Sequence, residues 1–204
     1  VVVGAKEGTT ASEVTDLQPG QFLVKANPAM IPKTHDNYVF LLFDHLYSAL
    51  RFNFSVDKDY NDLRTIKIRK LEMKPYSDGN GTPIKSKYDA TITLTAGVAT
   101  PTVVIEPSTK GSLTDYVTIF DEKVYGTTEN PVPVTLSTTE SDFLGCFVPG
   151  ETLRFSLRTT YDVYDKKGNL IRERCMAENY IDLKEKYALT STERGHIYFL
   201  PVKV

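Results

Sequence analysis

The stretch LRFSLRTTYDVYDKKGNLIRERC, residues 153–175, decides the fold class of this chain. Its first half alternates apolar and polar side chains with a period of two, which is typical of a β-strand with one face in a core. The predicted inward positions are Leu153, Phe155, Leu157, Tyr161 and Val163. The predicted solvent-facing positions are Arg154, Ser156, Arg158, Thr160 and Asp162. The stretch therefore predicts a half-buried strand that opens a hairpin.

The charged residues in and after this strand are predicted to form the tip and outer rows of that hairpin. Turn-forming residues occupy positions 165–169, where Gly168 can adopt the left-handed conformation that closes a type I turn with a bulge. Leu170 and Ile171 then restart the apolar signal. The charges are Asp162, Asp165, Lys166, Lys167, Arg172, Glu173 and Arg174. Pairing of opposite charges across the two strands explains this cluster without a catalytic or binding role.

Strand-like runs continue through most of the chain. Short apolar or alternating segments are separated by Gly, Pro, Ser and Thr, and the 12 Tyr and 10 Phe suit pleated surfaces. These segments are FLVKA (22–26), YVFLLF (38–43), LRFNFSV (50–56), RTIKIRKLEMK (64–74), ATITL (90–94), TVVIEP (102–107), DYVTIF (115–120), VPVTL (132–136), FLGCFVP (143–149) and GHIYFLPVKV (195–204). The helical candidates, SLTDY and IDLKEKYAL, are too short to organise a fold. We therefore predict an all-β protein.

Three local signals refine this prediction. Ile66 and Ile68 have one parity and Leu71 and Met73 the other, which predicts a β-bulge at residues 69–70. Prolines at 131 and 133 flank Val132 and precede Val134, which predicts that the strand containing these valines lies on a sheet edge. The breaker PYSDGNGTP (75–83) is either a domain junction or a long hairpin loop. We take it as a junction, which gives domains at 1–75 and 76–204.

Composition limits the function classes. At 204 residues the chain can bury a core without metal or disulfides, and 24 basic against 26 acidic residues leave no strong field to attract nucleic acid. The two cysteines, Cys146 and Cys175, lack metal or redox spacing and are interpreted as small buried apolar groups, with a bond between them as the alternative. No stretch has the apolar length of a membrane span. The abrupt start at VVVGAKEG predicts a leader or first strand upstream.

Candidate catalytic and metal residues have structural explanations. Asp44, His45 and Ser48 have the residue types of a nucleophilic triad, but neighbouring positions on a strand point to opposite faces. His35 and His196 lack a partner at zinc-binding spacing. The segment DKDYND (57–62) begins like a calcium loop but lacks the glycine and glutamate of an EF-hand. We interpret it as a soluble hairpin loop, with a weak cation site as the alternative.

Aromatic and acidic residues suggest two further kinds of site. Tyr60, Tyr76 and Tyr125 could form a platform for sugar stacking, although aromatic residues in β-rich chains are more often core or cross-strand partners. A pair of carboxylates for glycoside hydrolysis depends on a three-dimensional separation, and nothing in the sequence points to one. We assign no catalytic, cofactor-binding or metal-binding residue, and we expect no cofactor.

Four motifs in order carry a resemblance to a known family. The stretch LRFSLRTTYDVYDKKGNLIRE and the later GHIYFLPVKV resemble the C-terminal domain of the fimbrillin-like proteins of Bacteroidales. LFDHLYSALRFNFSVD and LRTIKIRKLEMK resemble the N-terminal domain of the same family. Together the motifs cover most of residues 39–200.

The resemblance implies two β-sandwich domains of transthyretin-like, immunoglobulin-like topology with antiparallel sheets. It also implies export as a lipoprotein and assembly into fimbriae at the outer membrane and cell surface. Subunits of that family polymerise by strand addition, in which a neighbour's donor strand fills a groove and contributes to adhesion. The implied partners are other fimbrial subunits and a host or bacterial surface ligand, with membrane contact only through a lipid anchor on the precursor. The family has no catalytic residues, so none is carried over.

We therefore expect a non-enzymatic fimbrial subunit. The alternative from another class is a surface carbohydrate-binding lipoprotein of a glycan-uptake system. A row of exposed aromatic residues converging on a shallow groove would favour the carbohydrate binder. A sandwich with a missing or exchangeable edge strand would favour the pilus subunit.

Overall fold

The computed structural model describes residues 2–8, 38–43, 45–76, 88–93, 102–107, 116–150 and 153–204. The strands are β1 (Val2–Gly8), β2 (Tyr38–Phe43), β3 (Ser48–Ser55), β4 (Arg64–Tyr76), β5 (Tyr88–Thr93), β6 (Thr102–Pro107), β7 (Val117–Asp121), β8 (Val134–Thr135), β9 (Ser141–Phe147), β10 (Arg154–Asp165), β11 (Leu170–Asp182) and β12 (Ile197–Lys203). The helices are α1 (Lys58–Leu63), α2 (Glu122–Tyr125) and α3 (Leu183–Tyr187). The predicted all-β class is confirmed. Within the described ranges no helix is long and apolar enough to cross a membrane.

The chain divides into two compact units. One comprises residues 1–46 and 87–110, and the other comprises residues 47–86 and 111–204. In the first unit β1 pairs with β2, and β5 pairs with β6, both antiparallel. The predicted boundary between residues 75 and 76 does not separate these units, because β4 runs across it and pairs with β10 within the second unit. A turn-rich segment marks where a strand ends, whereas long-range strand pairing decides where a unit ends.

The second unit contains two sheets. The larger has the order β11-β10-β4-β7, with β8 also on β4, and the smaller has the order β12-β3-β9. Strand β12 runs parallel to β3, so the expectation of purely antiparallel sheets is wrong for this pair. No hairpin joins β12 to β3, and their relative direction is therefore not restricted by a tight turn.

One hydrophobic core lies between these two sheets. The alternating apolar positions of strands from both sheets are buried in it, as their period of two predicts. The largest fully buried apolar side chains are Phe52, Phe155, Leu50, Ile68, Leu71, Met73, Leu136, Leu157 and Leu183. Their position between two facing sheets makes this unit a β-sandwich.

The predicted bulge in β4 is confirmed. Thr160 of β10 pairs with Lys70, but the next residue, Tyr161, pairs with Ile68, so Arg69 is the extra residue. The bulge changes the parity of β4, and this lets both Ile68 and Leu71 point into the core. The sequence parity alone was sufficient to locate it.

The connections of the second unit match the sequence in part. The edge position of the Pro-flanked strand is confirmed, because β8 pairs only with β4 among the described strands. The segment DKDYND forms α1, with Asp57 as its N-cap, and joins strands of different sheets, so the predicted hairpin loop is wrong. The segments FLVKA and SDGNG lie outside the described residues.

The tip of the β10–β11 hairpin is as predicted. Gly168 has a φ of 87°, in the left-handed region. The Asp165 carboxylate accepts hydrogen bonds from the backbone N–H groups of Lys167, at 2.9 Å, and Asn169, at 2.8 Å. The hydrogen bonds from Asn169 hold the pKa of Asp165 below its usual value. Turn chemistry therefore explains the charged residue at the start of the loop.

Candidate functional site

An open groove of about 720 Å³ lies in the second unit, between β11 and β12. These are edge strands of the two facing sheets, because β11 pairs only with β10 and β12 only with β3 among the described strands. The apolar residues at its floor are core residues contributed by both sheets: Phe54, Ile66, Ile68, Leu136, Leu157 and Leu200. These side chains are at most 3% exposed, so the groove is a depression at the surface over a closed core.

The walls of the groove come from the two edge strands. On β11, Ala177, Asn179 and Ile181 have the inward parity, and Ala177 pairs with Thr159 of β10. On β12, Leu200 and Val202 have the inward parity. Because Ala177 and Thr159 are small, this part of the wall leaves room for a larger side chain from an occupant.

Charged residues line the groove near α3. Asp182 is the N-cap of α3, where it accepts a hydrogen bond from the Lys184 N–H at 2.9 Å, and it also pairs with Arg154 at 2.8 Å. Glu185 and Lys186 of α3 line the groove beside it. The site therefore offers an apolar floor with charges at its margin, which suits an extended apolar segment.

The C-terminal end of β12 is also charged. Lys203 Nζ lies 2.9 Å from Asp57 Oδ2. This hydrogen bond raises the pKa of Lys203 and lowers the pKa of Asp57. Both side chains are largely exposed, so the pair contributes little to stability. Of the two residues, Lys203 lines the groove.

A second candidate is a buried ionic cluster on the outer face of the larger sheet. Asp162 of β10 is only 1% exposed. The Arg69 guanidinium, which projects from the bulge in β4, donates from Nε to Asp162 Oδ2 at 2.7 Å. It also donates from Nη1 to Glu122 Oε2 at 2.6 Å, and Glu122 is 6% exposed. The prediction that Asp162 faces solvent is wrong, because Arg69 and the Tyr164 hydroxyl hydrogen-bond to its carboxylate and the side chain is buried.

A second bulge completes this cluster. In β11 the register shifts between the partners of Tyr161 and Val163, and Arg174 there has a φ of 48°. The Arg174 backbone N–H donates to Asp162 Oδ1 at 2.7 Å. Both oxygens of Asp162 are therefore hydrogen-bonded, one from each neighbouring strand. The bulges on the two sides of β10 converge on the same carboxylate.

The electrostatics of the cluster favour a structural role. Burial alone would raise the pKa of Asp162, but the hydrogen bonds from Arg69 and from the Arg174 N–H outweigh it, so this pKa is lowered. The hydrogen bond to Asp162 raises the pKa of Arg69 further above its already high value. Neither group exchanges a proton near neutral pH, and Asp162 is closed to substrate.

The candidate triad residues are not brought together as a catalytic site. Ser48 begins β3, is buried, and donates its hydroxyl to the carbonyl of Glu193. His45 is exposed, and Asp44 lies outside the described residues. A serine whose proton is given to a backbone carbonyl lacks the base that a nucleophile needs.

The histidines and acidic residues form no metal centre in the described part of the chain. No group of three or more His, Cys, Asp or Glu side chains there is arranged to hold an ion. His196 is exposed, and its Nδ1 lies 3.1 Å from the Arg194 carbonyl. His35 lies outside the described residues. In the former calcium-like segment, the Asp57 carboxylate accepts from the Asp59 N–H and caps α1.

The tyrosines and cysteines also differ from the sequence-based interpretation. Tyr60, Tyr76 and Tyr125 lie on α1, β4 and α2, and none of them lines the groove. Cys146 is exposed and Cys175 is half-buried, and both are free thiols. The interpretation of the cysteines as buried apolar groups is therefore wrong. Cys146 lies on the outer parity of β9, whose inner parity carries Phe143 and Phe147.

The groove and the ionic cluster were both missed by sequence reasoning. The signal for the cluster was the predicted bulge, because a residue displaced from the ladder is free to reach across the neighbouring strand. The sequence carries no comparable signal for the groove, because it does not show which strands lie at the sheet edges. No protein-family model matches the chain, and no curated protein matches its sequence.

Proposed function

We propose that this chain is a non-enzymatic subunit of a cell-surface fimbria that assembles by β-strand addition. The supporting observation is the groove between the edge strands β11 and β12, which lies over core residues of both sheets. An added strand would bury alternate side chains on that floor and satisfy the backbone of an open edge. The fimbrillin-like motifs add export as a lipoprotein, an outer-membrane location and a contribution to adhesion to this proposal.

The shape of the groove supports an extended occupant over a compact one. Its β11 wall runs from Ala177 to Asp182, which at about 3.3 Å per residue corresponds to roughly 20 Å of strand. Its floor consists of aliphatic and aromatic side chains, and charges are confined to the margin. A peptide with apolar side chains at alternate positions matches this arrangement.

Electrophoresis of the native protein without boiling tests the proposal. Strand-added subunits are expected to run as an SDS-resistant ladder that collapses on heating. The variant Ala177→Arg, which places a charge in the groove, is expected to abolish the ladder. Met176→Arg is the matched control, because Met176 is the adjacent residue on the opposite face and is exposed. Monomeric protein in every unboiled sample would contradict the proposal.

The carbohydrate-binding alternative has less support. It needs a row of exposed aromatic rings that converge on a shallow site. The three candidate tyrosines lie on three separate elements and do not line the groove, and Tyr180 is the one exposed aromatic residue among its described lining residues. Retardation of the native protein in gels that contain polysaccharide, together with the absence of ladders, would favour that alternative.

A further inference from the structure

Four basic side chains of the β10–β11 hairpin have no acidic partner. They are Lys166, Lys167, Arg172 and Arg174, and all four are exposed. None of them forms an ion pair with another residue in the part of the chain that the structure describes. The pairing of opposite charges across the two strands, which the sequence predicts, is therefore absent at these residues.

The acidic side chains of the hairpin are engaged in other ways. Asp162 is buried and hydrogen-bonded to Arg69. Asp165 holds the turn by accepting hydrogen bonds from the Asn169 backbone N–H and from the Asn169 side-chain amide, both at 2.8 Å. Glu173 is the remaining acidic residue of the hairpin turn and the start of β11. This end of the hairpin is therefore positively charged, although the whole chain has a formal net charge of -2.

Two apolar side chains are exposed among these basic residues. Leu170 is 48% exposed and Ile171 is 50% exposed, at the point where β11 leaves the turn. Consecutive residues of a strand point to opposite faces, so each face of the hairpin presents one of them. Because β11 pairs only with β10 among the described strands, no further strand lies beside this pair. We call residues 166–174, which are both basic and apolar, the cationic tip.

The elements next to the cationic tip leave it exposed and do not neutralise it. Arg64, the first residue of β4, pairs in register with Asp165, so the turn extends beyond the end of the β4 ladder. Arg64 is itself exposed and adds a positive charge. In α1, which precedes Arg64, Lys58 and Asp62 form an ion pair with each other at 2.6 Å. The tip can therefore reach a flat surface ahead of its neighbours.

We propose that the cationic tip is a docking surface for a lipid bilayer that contains anionic phospholipids. The four basic side chains contact the lipid phosphates, where an anionic surface attracts each Lys or Arg. Leu170 and Ile171 enter the boundary between headgroups and acyl chains. The long stems of lysine and arginine allow the charges to stay at the surface while the apolar pair is buried. This contact is separate from the lipid anchor that the family resemblance implies, and it does not depend on strand addition.

An anionic polymer would match only part of this surface. A nucleic acid or a sulfated polysaccharide would neutralise the basic side chains but would leave Leu170 and Ile171 in water. Binding of single-stranded nucleic acid also uses stacking on aromatic side chains, and residues 165–175 contain none. Exposed apolar side chains beside basic ones are the combination that a lipid surface satisfies.

Co-sedimentation with vesicles tests the charged part of the contact. Vesicles of three parts phosphatidylcholine to one part phosphatidylglycerol should bind the protein at an ionic strength of about 0.1 M, where charges are screened over about 10 Å. Vesicles of phosphatidylcholine alone should not. Lys166→Gln/Lys167→Gln should lower the partition coefficient about thirtyfold, which corresponds to about 2 kcal/mol for two charges.

The matched control removes two lysines elsewhere in the same unit. Lys123→Gln/Lys184→Gln changes exposed residues of α2 and α3 and should bind the anionic vesicles as the unsubstituted protein does. An equal loss of binding in both double variants would overturn the assignment to the cationic tip. Failure of the unsubstituted protein to bind anionic vesicles would overturn the membrane contact itself.

Tryptophan fluorescence tests the apolar part of the contact. The chain contains no tryptophan, so Ile171→Trp is a single reporter at the tip. Val124→Trp is its control, because Val124 is 77% exposed and lies on α2. Emission from Ile171→Trp should shift to shorter wavelength when anionic vesicles are added, and emission from Val124→Trp should not. Leu170→Trp repeats the measurement if Ile171→Trp does not fold by circular dichroism.

A polyanion is distinguished from a lipid surface by the same reporter. An unchanged emission wavelength at the tip, together with retention of the protein on immobilised heparin, would overturn the lipid assignment in favour of an anionic polymer. A shift at the tip that persists in the presence of soluble heparin would support the bilayer.

Discussion

Arg69 donates from its Nε to Asp162 Oδ2 over 2.7 Å, and this bond joins a bulge in β4 to a buried carboxylate in β10. The parity of β10 places Asp162 on the outer face of the sheet, where a carboxylate is usually hydrated. Here the Arg69 guanidinium, the Tyr164 hydroxyl and the Arg174 N–H take the place of water. The relationship explains why the most charged stretch of the sequence contains a nearly inaccessible side chain.

Substitution of Asp162 should be strongly destabilising. Asp162→Asn leaves the Arg69 guanidinium with one carboxylate partner and removes the charge that the Arg174 N–H donates to. We expect a loss of about 2–3 kcal/mol in the free energy of unfolding, somewhat below the usual cost of breaking a buried pair because Arg69 is partly exposed. Urea denaturation monitored by circular dichroism measures it. Asp142→Asn is the control, because Asp142 pairs with Arg51 at the surface and should leave the midpoint nearly unchanged.

Low pH should reduce the free energy of unfolding through protonation of the same carboxylate. The pKa of Asp162 is lower in the folded state than its ordinary value of about 3.9, so the unfolded chain binds its proton first as the pH falls. The stabilisation is complete above the ordinary pKa and is lost as the pH falls through the lowered one. Urea midpoints measured from pH 6 to pH 2 should fall less steeply for Asp162→Asn than for the unsubstituted protein. Parallel curves for the two proteins would show that Asp162 does not contribute to the pH dependence.

The contribution of the hairpin tip to stability should depend on backbone conformation at Gly168 and very little on the lysine charges. Lys166→Gln and Lys167→Gln should each change the free energy of unfolding by less than about 1 kcal/mol, as exposed substitutions usually do. Gly168→Ala should cost about 1–2 kcal/mol, because Gly168 has a φ of 87° and no neighbour within 4 Å of an added Cβ, so the cost is conformational alone. Chemical denaturation of the three variants checks this order. A larger loss from either lysine would contradict the hairpin interpretation.

The turn after α2 should not accept a side chain. An added Cβ at Gly126 would lie 2.2 Å from the Asn130 carbonyl oxygen, and the Gly126 N–H donates to the Glu122 carbonyl at 3.1 Å. Gly126→Ala must therefore displace backbone that positions Glu122 beside Arg69, and we expect a loss of about 1–3 kcal/mol. The melting temperature of Gly126→Ala, compared with that of Glu129→Ala, measures the effect. Glu129 is an exposed residue of the same loop. Equal melting temperatures would indicate that the loop relaxes freely.

The two cysteines should react at different rates in the native protein. Cys146 is exposed and Cys175 is half-buried, and both are free. Iodoacetamide should first add to Cys146. Intact-mass spectrometry should show a singly modified species before the doubly modified one, and peptide mapping should locate the first label at Cys146. Because alkylation requires an accessible thiol, reaction at Cys175 first would place the free edge of β11 differently from the structure.

The sequence determined the local features of this protein. Alternation with a period of two and short apolar runs located most of the described strands, the parity change at Arg69 located a bulge, and the turn residues Asp165 and Gly168 located the hairpin tip. Each of these features depends on residues that are near one another in the chain, where side-chain direction and backbone preference act directly.

Only the tertiary structure decided which strands meet and what their faces contact. The pairing of β4 with β10, the parallel direction of β12 and the burial of Asp162 depend on residues far apart in the chain, such as Arg69 and Glu122. A strand's sequence states that one face is polar, but it does not state whether water or a buried guanidinium will satisfy that face. The groove has the same origin, because an open edge exists only once every other strand has taken its place.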